Sequence, residues 1–174
     1  LVATPFQVAT GKEFDVVLVQ DLSGSFGDDL SYFKNNNTIA SLTDNVSARL
    51  PGTYFGVTSF VDKPVAPFGL LATDDYSYLT NLALTSNSVV VQNTVNALQL
   101  RYGGDTPESQ LEALLQIALR QEEVGFRDGS KRDVFLMTDA GFHFAGGRGC
   151  YFTAPLFECQ QKSYSCSISF DPPF

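Results

Sequence analysis

Asp21, Ser23 and Ser25 alternate through DLSGSFGDDL (residues 21–30), with Asp28 and Asp29 close behind. One carboxylate and two hydroxyls on alternate positions of a tight loop can present three oxygens to a common point, directly or through water. Oxygen-only donors select hard cations: Mg²⁺, Ca²⁺ or Mn²⁺. Three other places carry acids of the same potential: Asp62, the run Asp105-Thr106-Pro107-Glu108, and Asp139. No local set of His and Cys points to zinc. Two like charges about 4 Å apart repel by roughly 4 kcal/mol at an effective dielectric near 20. Carboxylates that converge must therefore protonate, stay solvated or bind cations. Taken singly, each stretch also has a purely structural reading, because Ser and Asp cap helices and acids favour a helix's first turn. Their joint placement decides between the two.

The elements around these acids are expected to bring them together. DVVLVQ (15–20) and DVFLMTD (133–139) are continuous apolar runs ending in acid, the pattern of strands buried on both faces. TYFGVTSFVD (53–62), rich in β-branched and aromatic residues, reads as another strand ending in acid. KPVAPFGLLAT, with two prolines, reads as an edge strand or a strand entered through a turn, and 74–88 as polar and irregular. Leu30, Phe33, Ile39, Leu42, Val46 and Leu50 keep helical spacing interrupted at Asn35-Asn36-Asn37, and Pro51-Gly52 ends it. Val91, Val95 and Leu98 predict a helix over 89–100, although the leading valines also suit a strand. ESQLEALLQIALRQEE (108–123) predicts a helix whose apolar face is Leu111, Leu114, Leu115, Ala118 and Leu119. Near the end, Tyr164, Cys166, Ile168 and Phe170 alternate with polar residues like a half-buried strand. Strands alternating with helices predict an α/β domain with a mostly parallel sheet, and ligands of such sheets sit beyond the carboxyl ends of the strands. The acidic loops would gather there.

Composition narrows the partners. The 174 residues suffice for one domain with a real core, and 44 % apolar against 17 % charged residues is globular. A formal net charge of −8 without a Lys/Arg cluster disfavours nucleic acid and anionic membranes and favours cations. No apolar run approaches the ~20 residues of a membrane span. The chain opens at Leu1 without Met or a basic segment, as a processed chain or an excised fragment would. Cys150, Cys159 and Cys166 allow one disulfide and an odd thiol outside the cell, or three thiols inside it. Asn36 and Asn45 each open a glycosylation triplet, a pattern that also arises by chance.

At larger scale the motifs resemble a family. Asp21-Leu22-Ser23-Gly24-Ser25 is similar to the metal-ion-dependent adhesion site of von Willebrand factor A domains. The finer resemblance is to the A-like (βI) domain of integrin β subunits, carried by DLSGSFGDDL, SFVDKPVAPF (59–68), DTPESQLEALLQ (105–116) and VGFRDGSKRDVFLMTDAGFHFAGG (124–147). It implies a Rossmann-like, doubly wound, mostly parallel sheet flanked by helices, with a core over about 13–147 and a Cys- and aromatic-rich tail over 148–174. It also implies three neighbouring cation sites. Asp21, Ser23, Ser25, Glu108 and Asp139 would form a central Mg²⁺ site that takes a ligand's carboxylate. Asp28 and Asp29, with the Ser25 carbonyl and Asp139, would form an adjacent Ca²⁺ site. Asp62, Asp105, the Pro107 carbonyl and Glu108 would form the other.

The resemblance has departures. Gly103 stands where the family usually places an asparagine ligand of the last site. Thr106 matches a threonine that ordinary A domains bring to the central metal. The segment at about 69–88 is short and lacks the family's cysteine pair, so known integrin ligands do not carry over. A full A domain has two more strands than residues before 148 supply; the fold is either shortened or completed by another segment.

Other chemistry finds less support. His143, the one histidine, is expected to be structural or exposed and not catalytic, and no hydrolytic triad can be assembled around it. Clustered carboxylates could hold two metals for hydrolysis, but the motifs contain no candidate base. The expectation is a non-enzymatic, extracellular or cell-surface binding module that recognises an exposed Asp or Glu of a protein ligand through a divalent cation. The alternative is a structural subunit that assembles with other subunits of an extracellular filament or matrix.

Overall fold

The computed structural model describes residues 13–143, apart from positions 67, 70, 71 and 73 and the side chain of Asn36. The three cysteines and the expected strand at 164–170 lie outside the described residues. In chain order the elements are β1 (Phe14–Asp21), α1 (Gly27–Lys34), α2 (Thr38–Arg49), β2 (Thr53–Phe60), β3 (Leu79–Thr85), α3 (Ser88–Ala97), α4 (Gln110–Leu119), α5 (Gln121–Val124) and β4 (Lys131–Met137). Short 3₁₀ turns at Gly24–Phe26 and Asn35–Asn37 precede α1 and α2.

β1 is buried along nearly its whole length and sits inside the sheet, whose order is β3-β2-β1-β4. It pairs in parallel with β2 on one side and with β4 on the other. Its side chains alternate between two cores. Val16 and Leu18 pack with Phe55, Val57, Ile39, Val91 and Val95 beneath α1, α2 and α3. Val17 and Val19 pack with Phe60, Ala113, Ile117 and Val124 beneath α4 and α5. A period of two on a strand covered on both faces produces this three-layer arrangement.

The break at Asn35-Asn36-Asn37 falls where expected. Asn37 takes a left-handed φ of 54°, which asparagine tolerates better than most residues, and this separates α1 from α2. α3 starts at Asn87, whose side chain accepts hydrogen bonds from the backbone N–H of Val89 (3.1 Å) and Val90 (3.2 Å).

Three expectations are corrected. The antiparallel edge strand is β3 within the stretch expected to be irregular, not the proline-containing segment after Lys63. Residues 63–66 and the described positions up to 78 contain no strand, only bends, turns and irregular backbone, since proline offers no N–H for a ladder. The buried face of α4 is Gln110, Ala113 and Ile117, not the leucine stripe; Leu111, Leu115 and Leu119 are 44 %, 55 % and 68 % exposed. The hydrogen bond from Ser109 N–H to the Val61 carbonyl (3.1 Å) fixes the rotation of this helix, and small Ala113 permits close approach to the sheet. β4 has the sequence of a buried strand, but Val134, Phe135 and Leu136 are exposed, because no described helix covers it.

At the amino end of β1, buried Asp15 meets Arg127. The Arg127 N–H donates to Asp15 Oδ2 (2.8 Å) and its Nε to Oδ1 (2.8 Å). Its Nη2 also donates to the carbonyls of Phe14 and Gly52, and Ser130 Oγ donates to Asp15 Oδ2 (2.6 Å).

Candidate metal centre

Because β1, β2 and β4 run in parallel, Asp21, Asp62 and Asp139 leave the sheet at the same end. The loop carrying Asp105 and Glu108 is stitched between the loops that follow β2 and β4. Glu108 N–H donates to the Gly141 carbonyl (2.9 Å), and Ser109 N–H to Val61. Gln110 Nε2 donates to the carbonyls of Ala140 (2.9 Å) and Gly141 (3.1 Å).

The first group of side chains forms a connected arc. Ser23 N–H donates to Asp21 Oδ1 (2.8 Å), and Thr138 Oγ1 donates to Asp21 Oδ2 (2.6 Å). The Ser23 and Ser25 hydroxyls lie 3.3 Å apart, and Ser25 Oγ donates to Asp139 Oδ1 (3.0 Å). Asp21 and Ser23 are buried, whereas Ser25 and Asp139 are exposed, so the arc opens to solvent on one side. Burial raises the Asp21 carboxyl above its ordinary range, against the hydrogen bonds from Thr138 and Ser23, and the Asp139 charge adds to the rise.

The second group was not visible in the order of residues. His143 Nε2 lies 2.9 Å from Asp62 Oδ1 and 3.6 Å from Asp105 Oδ1. Lys63 N–H (2.6 Å) and Ser109 Oγ (3.3 Å) donate to the same Asp62 oxygen. Asp62 Oδ2 and both Asp105 oxygens are buried and accept no hydrogen bond. Burial pushes the Asp105 carboxyl up to about 6 although His143 pulls it down, and Asp62 pushes it further up. The expectation that His143 is structural or exposed is half met: its side chain is only 9 % exposed and sits among acids. The absence of a local His/Cys set gave no hint of this, because Asp62 and His143 are 81 residues apart.

Glu108 lies within the field of both groups. It is 3 % exposed, its Oε2 accepts no hydrogen bond, and burial together with Asp21, Asp62, Asp105 and Asp75 pushes its carboxyl up to about 9. Gly103 (φ 68°) serves it by absence: a Cβ there would stand 3.2 Å from Glu108 Oε1. The Gly103 N–H donates to Asp75 Oδ1 (3.3 Å), which identifies buried Asp75 as a further acid of this region that the sequence reading missed.

Other expected residues stand apart. Asp28 and Asp29 are exposed in the first turn of α1, and among the described residues no hydrogen bond or ion pair joins them to the arc. Thr106 is exposed and Pro107 half-buried. Asn45 is exposed on α2, its side-chain amide donating to the Ser41 carbonyl (2.8 Å).

The parallel strand ends, the acidic arc and the loop stitched between them can be set beside known proteins. The family model of the integrin β-chain von Willebrand A domain matches residues 9–149. The chain belongs to this integrin β family. Integrin beta-2 of Ovis canadensis is 33 % identical over 190 aligned positions, covering 97 % of this chain and 24 % of the relative. Integrin beta-1-B of Xenopus laevis is 32 % identical, covering 81 % of this chain and 19 % of its own length. This integrin β-like chain thus spans a quarter or less of these curated relatives. Among solved structures, proximal thread matrix protein 1 from the mussel byssus superposes with a TM-score of 0.53 at 19 % identity, over 76 % of this chain and 32 % of that one, a likeness of fold. The mixed four-stranded sheet with helices on both faces is that of a von Willebrand A-like α/β domain.

The donors suit a hard divalent cation. Buried carboxylate oxygens without a hydrogen-bond donor, no Lys or Arg paired with Asp21, Asp62, Asp105 or Glu108 among the described residues, and an arc of hydroxyls open on one side are what such an ion requires.

Proposed function

We propose that this integrin β-like domain is an extracellular, non-enzymatic adhesion or protein-binding module that recognises an acidic residue of a partner protein through a divalent cation. Asp21, Ser23, Ser25, Glu108 and Asp139 would hold the ion, Mg²⁺ by preference, which when bound supplies a Lewis-acidic position for the partner's Asp or Glu. The observation that carries this reading is the arc Thr138–Asp21–Ser23–Ser25–Asp139, assembled from the ends of two parallel strands and open to solvent.

Each residue has a distinct task. Thr138 and the Ser23 N–H orient Asp21. The serine hydroxyls are neutral donors to the ion, so fewer negative charges crowd it and it retains attraction for an external carboxylate. Exposed Ser25 and Asp139 line the side from which a partner arrives. Asp28 and Asp29, and the Asp62–Asp105 pair with the Pro107 carbonyl, would hold Ca²⁺ beside it, with Mn²⁺ able to replace either ion; Thr106 is a further oxygen donor on the same loop.

Calorimetric titration with Mg²⁺, Ca²⁺ and Mn²⁺ tests the reading, on the chain and on Asp21→Ala with matched circular dichroism. Saturable Mg²⁺ binding that Asp21→Ala abolishes is expected. A well-folded chain that binds no Mg²⁺ would sink the proposal.

A further inference from the structure

β4 ends the sheet: among the described residues no strand pairs with its outer side. Charge, one device that keeps an edge strand from pairing, is confined to its first half, Lys131, Arg132 and Asp133, and the strand contains no proline. Its second half presents Val134, Phe135 and Leu136, three consecutive apolar residues that are 41 %, 56 % and 37 % exposed. The register with β1 assigns their faces. Val134 and Leu136 pair with Val17 and Val19, which lie in the core beneath α4 and α5, and Phe135 pairs with Leu18 on the opposite face. On the α4 side, exposed Leu111, Leu115 and Leu119 add to the apolar surface. Apolar surface beside unpaired backbone donors and acceptors is a site for an added strand.

The occupant must supply a backbone ladder and an apolar face of period two. The chain carries such a segment beyond the described residues: Tyr164, Cys166, Ile168 and Phe170 alternate with Ser165, Ser167 and Ser169. Its length, residues 164–170, matches the seven residues of β4. The connection is long enough. At ~3.3 Å per extended residue, residues 144–163 can span more than twice the ~23 Å length of a seven-residue strand. A tether of this kind gives an effective concentration on the order of millimolar. The segment therefore outcompetes a second copy of the chain at micromolar protein.

We propose that residues 164–170 add to the outer edge of β4 as its neighbouring strand, with Tyr164, Cys166, Ile168 and Phe170 on the face of Val134 and Leu136. That face offers the larger apolar surface, because the exposed α4 leucines lie on it, and the serines then share the other face with Phe135. A strand in this place withdraws the β4 edge from pairing with other chains. The inference rests on the open sheet edge and is independent of the cation reading.

Cys166 makes the proposal testable in the 174-residue chain. In a Cys150→Ser, Cys159→Ser background, Val134→Cys, Phe135→Cys and Leu136→Cys are each oxidised with glutathione disulfide at micromolar protein, and the products are resolved by non-reducing electrophoresis and peptide mapping. Neighbouring strands lie ~4.8 Å apart, within the Cα separations that a disulfide spans. An intramolecular bond from Cys166 to position 134 or 136, and none to 135, is expected. Native-state hydrogen exchange is the second readout. The β4 amides that point away from β1 should be protected in the unaltered chain and lose that protection in Ile168→Pro, while β1 amides stay protected as the folding control. If Ile168→Pro loses β1 protection as well, the disulfide pattern alone decides. Bonds between two molecules would give the edge to a second copy and overturn the proposal. Equal cross-linking at 135 overturns it too, since the segment then has no fixed face. It fails again if the outer β4 amides keep their protection in Ile168→Pro, which assigns the edge to another occupant. Unprotected outer amides without any cross-link mean that the edge is bare, and the proposal is lost.

Discussion

Replacing Glu108 with glutamine should make the metal-free domain more stable at neutral pH, and increasingly so as pH rises. Glu108 is 3 % exposed, and burial with the neighbouring acids lifts its carboxyl from an ordinary 4.5 to about 9. The folded chain therefore keeps a proton that the unfolded chain releases above pH 4.5. Where the folded state binds more protons, stability falls as pH rises. The favourable contribution of the protonated group is complete below pH 4.5 and is lost progressively until pH about 9. At ~1.4 kcal/mol per pH unit, the loss is on the order of 3 kcal/mol by pH 7 and on the order of 6 kcal/mol by pH 9. Urea unfolding in metal-free buffer from pH 4.5 to 9, on the chain and on Glu108→Gln, measures it. The difference between the two should be small at the acid end and grow in favour of the variant. Saturating Mg²⁺ should erase the variant's advantage, because an ion can hold the Glu108 carboxylate of the unsubstituted chain ionised. A difference that stays flat across the range would refute the account of Glu108 as a buried, proton-holding acid.

Other outcomes follow from single contacts. Thr138→Val removes the 2.6 Å hydrogen bond to Asp21 Oδ2 while keeping the side-chain volume, and should weaken Mg²⁺ binding about 10-fold by calorimetry with little change in unfolding midpoint. Arg127→Ala leaves buried Asp15 without its counter-charge and should cost about 3 kcal/mol in urea unfolding, with Mg²⁺ affinity of the molecules that remain folded unchanged.

Much of the sheet was legible because β1 and β2 are buried by their own side chains. Eight-residue runs such as FDVVLVQD admit few other readings. β3 escaped because LTNLALT has no fully buried residue and borrows its order from β2. The rotation of α4 escaped for a different reason. The helix is apolar on more than one side, and backbone contacts at Ser109, not hydrophobicity, choose which side faces the sheet. At the candidate metal centre, the Asp21-Ser23-Ser25 part of the arc was readable since the D-L-S-G-S spacing is local. Asp75 and His143 were not, because each reaches the centre only through the tertiary path of its loop.

A single strand carries a buried aspartate at each pole. Asp15 is neutralised by Arg127, a counter-charge tethered to the chain and present whenever the chain is folded. Asp21, six residues along the same strand, has no such tethered partner among the described residues. Whatever balances it, proton or ion, comes from solution and can leave again. The amino pole of β1 is thus set by inheritance and the carboxyl pole by the surrounding medium. On the cation-binding reading proposed above, changes in the ionic composition of that medium would reach the domain at one end, while the other keeps the frame against which they register.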